Sequence, residues 1–206
     1  QKISKRIAVA YDQAFHFYYE ANLSWLREKG VEIVFFSPLH DSKLPMNIDA
    51  IILGGGFPEK FAKDISYNKS MLNSLKKNIG AGLPCYAECG GFMILAEGIK
   101  LKSDKCFSMT GVVPGFIEMK NKLQNFGYCE MYLNEYGEIR GHEFHYSSWI
   151  EEKKYANLWT VKRHSSGSSR KEGFSNFNLH ASYVHLYFPK SSKFICDFLN
   201  LSSENF

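Results

Sequence analysis

The stretch GLPCYAECGGFMIL, residues 82–95, carries the residue types best suited to chemistry. An apolar run of strand character ends at Cys89, the pair Gly90–Gly91 follows, and an apolar helical pattern begins. A residue between a strand's carboxyl end and a helix's amino end sits in a sharp, often strained turn, and neighbouring glycines relieve the crowding there. Backbone N–H groups at the helix start can face a developing oxyanion, and the helix terminus favours thiolate over thiol. AECGG therefore reads as a nucleophile elbow with sulfur in place of oxygen. A buried structural cysteine explains Cys89 equally well, because free cysteine is among the most buried residue types.

A second segment bears on that choice. IILGGGFPE, residues 51–59, ends a neighbouring apolar run in three glycines, where a backbone can approach a ligand closely. An N–H from Gly55 or Gly56, together with that of Gly90, would make a two-donor oxyanion hole. A tight turn with no ligand is the alternative. A phosphate loop is excluded, since no Gly-Lys-Ser/Thr follows the glycines.

A nucleophilic thiol needs a base. His185, in ASYVHLYF, ends an apolar run near the C-terminus and is the best placed to return to the sheet edge that carries Cys89. His142 and His145 share RGHEFHYS and could line the same cleft or serve as hydrogen-bonded structural histidines. His164 falls in the polar stretch HSSGSSRKEG, residues 164–173, which reads as a mobile hairpin tip.

The elements that must position these residues alternate through the first hundred positions. RIAVAY, VEIVFFSP, IDAIILGGG and LPCYAEC read as buried strands. AFHFYYEANLSWLREKG reads as a helix stopped at Gly30. EKFAKDISYNKSMLNSLKKNIGAG reads as helical material interrupted near Asp64–Tyr67, and GFMILAEGI as a helix after Cys89. That order predicts a parallel sheet covered on both faces. The second half changes character: FSMTGVVPG, FGYCEMYL, EIRGHEFHYSSW, LWTVKR and HASYVHLYF read as strands, and SSKFICDFLNL as a closing helix. The expected fold class is α/β: one domain over residues 1–206, with a mostly parallel central sheet, helices on both faces and extra antiparallel strands in the second half.

Composition narrows the partners. An apolar fraction of 45% with 22% charged residues is that of an ordinary globular protein. A net charge of +4 without a basic run argues against nucleic-acid or membrane-surface binding. The five cysteines include no second pair at zinc-site spacing, so no metal site is expected. Without a secretory signal or an apolar run of about 18 residues, the expected compartment is the cytoplasm. Gln1 in place of Met, followed by KISKR, fits a piece of a longer protein better than a processed start.

ILGGGFPE, YAECGGFMIL, RGHEFHYS and ASYVHLYF, in this order, resemble the C-terminal glutaminase domain of cobyrinic acid a,c-diamide synthases. AVAYDQAFHFYYEANL and EIVFFSP fit the same family, so the resemblance runs from about residue 6 to residue 198. It implies the class I glutamine amidotransferase (flavodoxin-like) fold and hydrolysis of L-glutamine by Cys89, with His185 as general base and later acid. Gly55 or Gly56 and Gly90 would donate to the oxyanion. An N-terminal ATP-binding synthetase domain, using ATP and Mg²⁺, would then amidate the a and c side-chain carboxylates of cobyrinic or hydrogenobyrinic acid. No cofactor is implied for this chain itself, which alone should amidate nothing. A homodimer is compatible with the resemblance.

In one respect the sequence departs from many class I glutaminases, which carry a Glu two residues after the histidine; here that position is Tyr187. The resemblance thus implies a Cys89–His185 dyad, with Glu59, Glu88 and Glu143 as acids that could orient the imidazole. Other readings remain at this point. A sister enzyme could diamidate a nickel tetrapyrrole (Ni-sirohydrochlorin). A cysteine protease or deglycase could use a related fold, or an interaction module could retain a silent one.

Overall fold

A computed structural model describes residues 5–133, 135–150 and 159–201. Four strands of the first half make up most of the main sheet: β1 (Lys5–Ala10), the half-buried edge strand β2 (Val31–Phe36), and the buried β3 (Ala50–Leu53) and β4 (Cys85–Glu88). The second half supplies β5 (Asn125–Leu133), β6 (Gly137–His145), β7 (Trp159–Arg163) and β8 (Ser169–Glu172). It then adds β9 (Phe174–Asn176), β10 (Leu179–Ser182) and the two-residue β11 (His185–Leu186). Among the described residues these form a six-stranded sheet in the order β9-β10-β4-β3-β1-β2, parallel except for the edge strand β9. A five-stranded antiparallel sheet runs β8-β7-β5-β6-β11. A further four-stranded sheet joins residues 147–150, 116–119, 98–100 and 106–108.

Strand alternation sorts the apolar side chains onto two faces of the six-stranded sheet. Ala8, Ala10, Ile51, Leu53, Cys85 and Ala87 face one core. There they meet the helices α2 (Ala62–Tyr67), α3 (Lys69–Gly80) and α4 (Gly90–Leu95). Ile7, Val9, Ala50, Ile52 and Tyr86 face the other core, which they share with α1 (Glu20–Glu28), α5 (Ser192–Leu199) and the five-stranded sheet. The parallel sheet covered on both faces is therefore as expected. No helix among the described residues is long and apolar enough to cross a membrane.

Several boundaries differ from the sequence expectation, each for a local reason. The helix expected from Ala14 starts at Glu20. Asp12 accepts the N–H groups of Ala14 (2.8 Å) and Phe15 (3.2 Å), and the aromatic run Phe15–Phe17 pairs as a short strand with Gly55–Gly56. The helical break expected near Asp64–Tyr67 falls at Asn68, which caps α3 through the N–H of Met71. The helix after Cys89 stops at Leu95, because its last carbonyls accept N–H groups from residues 110–113. FSMTGVVPG is accordingly strand only over Cys106–Ser108, the rest being that capping loop. HASYVHLYF divides into β10 and β11, which belong to different sheets. HSSGSSRKEG is a turn only in its first half, since residues 169–172 are β8 and Glu172 is buried. Of LWTVKR, Leu158 lies outside the described residues.

Close backbone approach fixes one glycine absolutely. A Cβ at Gly91 would run into the carbonyl oxygen of Leu53, because α4 is drawn onto the end of β3 by the Gly91 N–H to Gly54 carbonyl bond of 2.9 Å. At Gly80, by contrast, a Cβ meets nothing within 4 Å at the end of α3. Gly91→Ala should lower stability by ~1–3 kcal/mol or more. Gly80→Ala should raise it by ~0.5 kcal/mol. Thermal melts of both variants check this, and a Gly91→Ala protein melting with its parent would contradict the described contact.

Candidate active site

Cys89 occupies the turn between β4 and α4 with φ 45° and ψ −103°, a conformation that costs a non-glycine residue on the order of 1–3 kcal/mol. The surroundings hold it there from both sides. Its N–H donates to the Ser182 carbonyl of β10 at 2.7 Å, and its carbonyl accepts from the Met93 N–H at 3.0 Å. Next to it, a Cβ on Gly90 would lie 2.9 Å from Pro58 Cδ and 3.0 Å from the Gly56 nitrogen. The elbow and the glycine loop are thus in backbone contact beside the sulfur. The loop is itself tied down: the Gly54 N–H donates to the Tyr18 hydroxyl at 3.0 Å, and that hydroxyl donates to the Ala10 carbonyl.

His185 reaches this turn from β11, paired with His142 of β6. Its Nδ1 lies 3.5 Å from Oε2 of Glu88, and its ring lines the same cavity as the Cys89 sulfur, whose own long contact of 4.0 Å is to the Phe144 carbonyl. A Cβ on Gly55 would run into His185 Cε1, so that glycine makes room for the ring. Burial alone would strip the imidazole of its proton. The hydrogen bonds to Cys89 and Glu88, with their charges, outweigh it and push the histidine up to about 10. Glu88 is buried and held on its other oxygen by the Tyr86 hydroxyl (2.5 Å) and the Leu186 N–H (2.8 Å). Asn22 brackets the same segment, donating to the Leu186 carbonyl (2.8 Å) and accepting the Phe188 N–H (2.9 Å).

Of the three acids singled out by sequence, only Glu88 meets His185. Tyr187, two residues beyond the histidine, is 41% exposed and turns to the edge of Tyr19. Glu143 is committed to Arg170 and His145, and these hold it below the usual carboxylate range despite burial. Glu59 lines a small pocket with Cys89 that does not include His185. His142 stands 6.2 Å from the His185 ring, and burial and the charge of His185 push it down. His145 is a buried structural histidine: its Nδ1 meets the Ser147 carbonyl at 2.8 Å and its ring stacks on Tyr183 at 3.9 Å. Sequence reasoning missed Asn22 and Glu172. An amide on the buried face of an amphipathic helix, beside Leu23 and Leu26, was the available signal for the first.

Two adjoining pockets are lined by Cys89. On the His185 side, a cavity of about 360 Å³ is lined by Tyr18, Asn22, Glu88, Cys89, His142 and His185. Beside it, one of about 400 Å³ is bounded by Tyr128, Glu130, Arg140, His142 and His185. Adjoining the first across Gly56, Phe57, Cys89 and Phe144, a small pocket of about 30 Å³ also reaches Met93, Glu59 and Ser147, and shares Glu59, Phe57 and Tyr146 with an open groove. The groove, about 550 Å³, also presents Lys60 and Lys102. Among the described residues no cluster of His, Cys, Asp and Glu is grouped to hold a metal ion.

Residues 6–193 match the CobB/CobQ-like glutamine amidotransferase domain. The chain is 41% identical over 198 residues to the cobyrinate a,c-diamide synthase of Priestia megaterium, covering 92% of this chain and 42% of that protein. It is 43% identical over 204 residues to the enzyme of the same name from Fusobacterium nucleatum, covering 94% and 44%. It therefore spans less than half the length of these relatives. A crystal structure of a glutamine amidotransferase superposes with a TM-score of 0.68 at 14% identity, covering 95% of this chain and 99% of the other. PurLQS from Thermotoga maritima gives 0.64 at 16%, covering 95% and 98%. At such identities the likeness establishes the fold, which is that of the class I glutamine amidotransferases.

The histidine's proton offers a direct check. A folded value raised above the ordinary 6.5 means that the stabilisation is complete below about pH 6.5 and is lost as pH rises toward 10. Ring-proton NMR should find His185 still protonated at pH 8. Cys89→Ala and Glu88→Gln should each lower its titration by more than about one unit. A parent ring titrating near its ordinary value would mean that the three groups do not meet as described.

Proposed function

The chain belongs to the CobB/CobQ-like glutamine amidotransferase domain family, and from that premise we propose that it hydrolyses L-glutamine at Cys89. The observation that carries this reading is the chain of contacts Glu88–His185–Cys89 at a strained elbow against a glycine loop. The Cys89 sulfur attacks the side-chain amide carbon, and the oxyanion forms beside Gly56 and Gly90. The amide nitrogen takes a proton from His185 and leaves as ammonia, giving a glutamyl thioester. His185, now neutral, removes a proton from water, whose oxygen attacks the thioester carbon; glutamate leaves, and the sulfur departs as thiolate beside the again protonated His185, the pair from which attack began. Glu88 keeps the imidazole turned toward the sulfur and stabilises its positive form, the part often taken by a glutamate after the histidine.

In this reading the two adjoining pockets receive different parts of the substrate. The leaving nitrogen must face the acid that protonates it, so ammonia is released into the His185-side cavity. The carbon chain of glutamine then lies toward the small pocket that Met93 lines and His185 does not. Its α-amino and α-carboxylate groups then reach the groove with Glu59 and with Lys60 and Lys102.

We further propose that the ammonia serves the amidation of the a and c carboxylates of cobyrinic or hydrogenobyrinic acid, in a synthetase part that uses ATP and Mg²⁺ outside this chain. Support comes from relatives named cobyrinate a,c-diamide synthase, of which this chain matches less than half. The acceptor's identity, a nickel tetrapyrrole included, would be chosen mainly by that other part.

Treatment with a diazo-ketone analogue of glutamine, followed by peptide mass mapping, tests the reading. Label should appear at Cys89 alone, be blocked by free glutamine and vanish in Cys89→Ala. Label spread over Cys85, Cys106, Cys129 and Cys196 without glutamine protection would sink the proposal. Glu88→Gln should slow labelling about 10–100-fold. The assignment of pockets has its own measurement: Glu59→Gln should raise the glutamine concentration needed to protect by about tenfold and leave protection by glutaramate, which lacks the α-amino group, unchanged. Equal effects on both would place the amino group elsewhere.

A further inference from the structure

Glu172 is buried on β8, within a stretch that reads in sequence as a polar hairpin, and its carboxylate ends against the catalytic turn rather than in solvent. Oε1 accepts the backbone N–H of Tyr183 at 2.7 Å, and Oε2 accepts the Ser182 hydroxyl at 2.7 Å. The Ser182 oxygen in turn accepts the Val184 N–H at 3.0 Å. One carboxylate thus satisfies, directly or through a hydroxyl, the N–H groups of the two residues that cross from the six-stranded sheet to the five-stranded one. A crossing between sheets has no ladder of its own, and buried N–H groups without partners would be costly.

What lies at the two ends of this crossing gives the contact its meaning. At one end, the Ser182 carbonyl holds the N–H of Cys89 and so supports its strained backbone. At the other, three residues on, is His185. Between them, the Tyr183 ring is stacked on His145 and its hydroxyl accepts from Ser147 at 3.0 Å. We propose that Glu172 is a positioning residue for the reaction: it fixes the Ser182–Val184 crossing and thereby the separation of the Cys89 sulfur from the His185 ring. The inference rests on the glutaminase reading for its consequence in catalysis, and on the hydrogen bonds alone for its consequence in geometry. The environment marks the group as placed against cost. Burial pushes Glu172 up to about 7, Glu143 of β6 adds to this, and the bonds from Ser182 and Tyr183, with Arg170 of its own strand, oppose it.

The test uses the full chain with Glu172→Gln, which keeps the shape but replaces one acceptor oxygen by an NH₂ that cannot accept. Two readouts are taken on protein whose circular dichroism and gel-filtration volume match the parent. The rate of Cys89 labelling by the diazo-ketone glutamine analogue should fall at least about tenfold. The glutamine concentration that protects should stay within about twofold, since Glu172 touches no substrate. The His185 ring titration should fall by at least about one unit as the ring loses its seat between Cys89 and Glu88. A purely structural role predicts a lower melting temperature with labelling rate and titration both unchanged, and that result overturns the proposal. Should Glu172→Gln not fold, Ser182→Ala removes the relay to Val184 while keeping the carbonyl that holds Cys89. The same slowing and the same fall in titration are expected of it, and parental values in both overturn the proposal. Failure of the parent to take label would remove the glutaminase reading. The His185 titration, which needs no turnover, still decides the positioning role.

Discussion

β10 pairs with β4 in parallel register from Leu179↔Cys85 to Ser182↔Glu88, and the arrangement of the site depends on that pairing. It brings together two chain segments almost a hundred residues apart and ends them at the same level of the sheet. β4 then continues into the elbow at Cys89, and β10 leaves the sheet to deliver His185. A slip of one residue would turn Glu88 to the opposite face and move the Ser182 carbonyl away from Cys89. Parallel strands have no local turn to fix their register. The alternation of Cys85, Ala87, Leu179 and Ala181 into one core, with Tyr86 and His180 stacked at 4.8 Å in the other, does it instead.

Around that frame the site concentrates features that oppose stability. Cys89 has a strained backbone, Glu88 is buried, and Glu172 and Glu143 are buried close behind. Each is satisfied by several short contacts, so the costs are distributed over the crossing, the glycine loop and α1 through Asn22. The glycines here are steric rather than flexible elements. Gly90, Gly91 and Gly55 are places where Pro58, the Leu53 carbonyl and the His185 ring occupy the room of a side chain.

The elbow, the glycine loop and the alternating strands were legible because each is a local pattern of residue types. The parallel sheet followed from that alternation. What was not legible depends on which way a side chain faces after folding. Glu88 directly precedes the thiol in sequence, yet only the return of β11 brings the histidine to both of them in one cavity. Glu172 looked like part of a polar loop because its neighbours Arg170 and Lys171 are charged; pairing of β8 with β7 turns it inward. The helix expected from Ala14 failed because an Asp12 turn and two glycines forty residues away gave the aromatic run a better partner.

Two pockets that adjoin at one sulfur have a kinetic consequence. On the proposed assignment, amino acid and ammonia travel through different doors. The nitrogen can be carried off while the acyl group still blocks its own entrance, and back-diffusion of ammonia into the groove is shut off during that interval. The covalent intermediate sets the order of departure, ammonia before glutamate, and the pockets set the routes: water can reach the thioester through the space that ammonia has vacated.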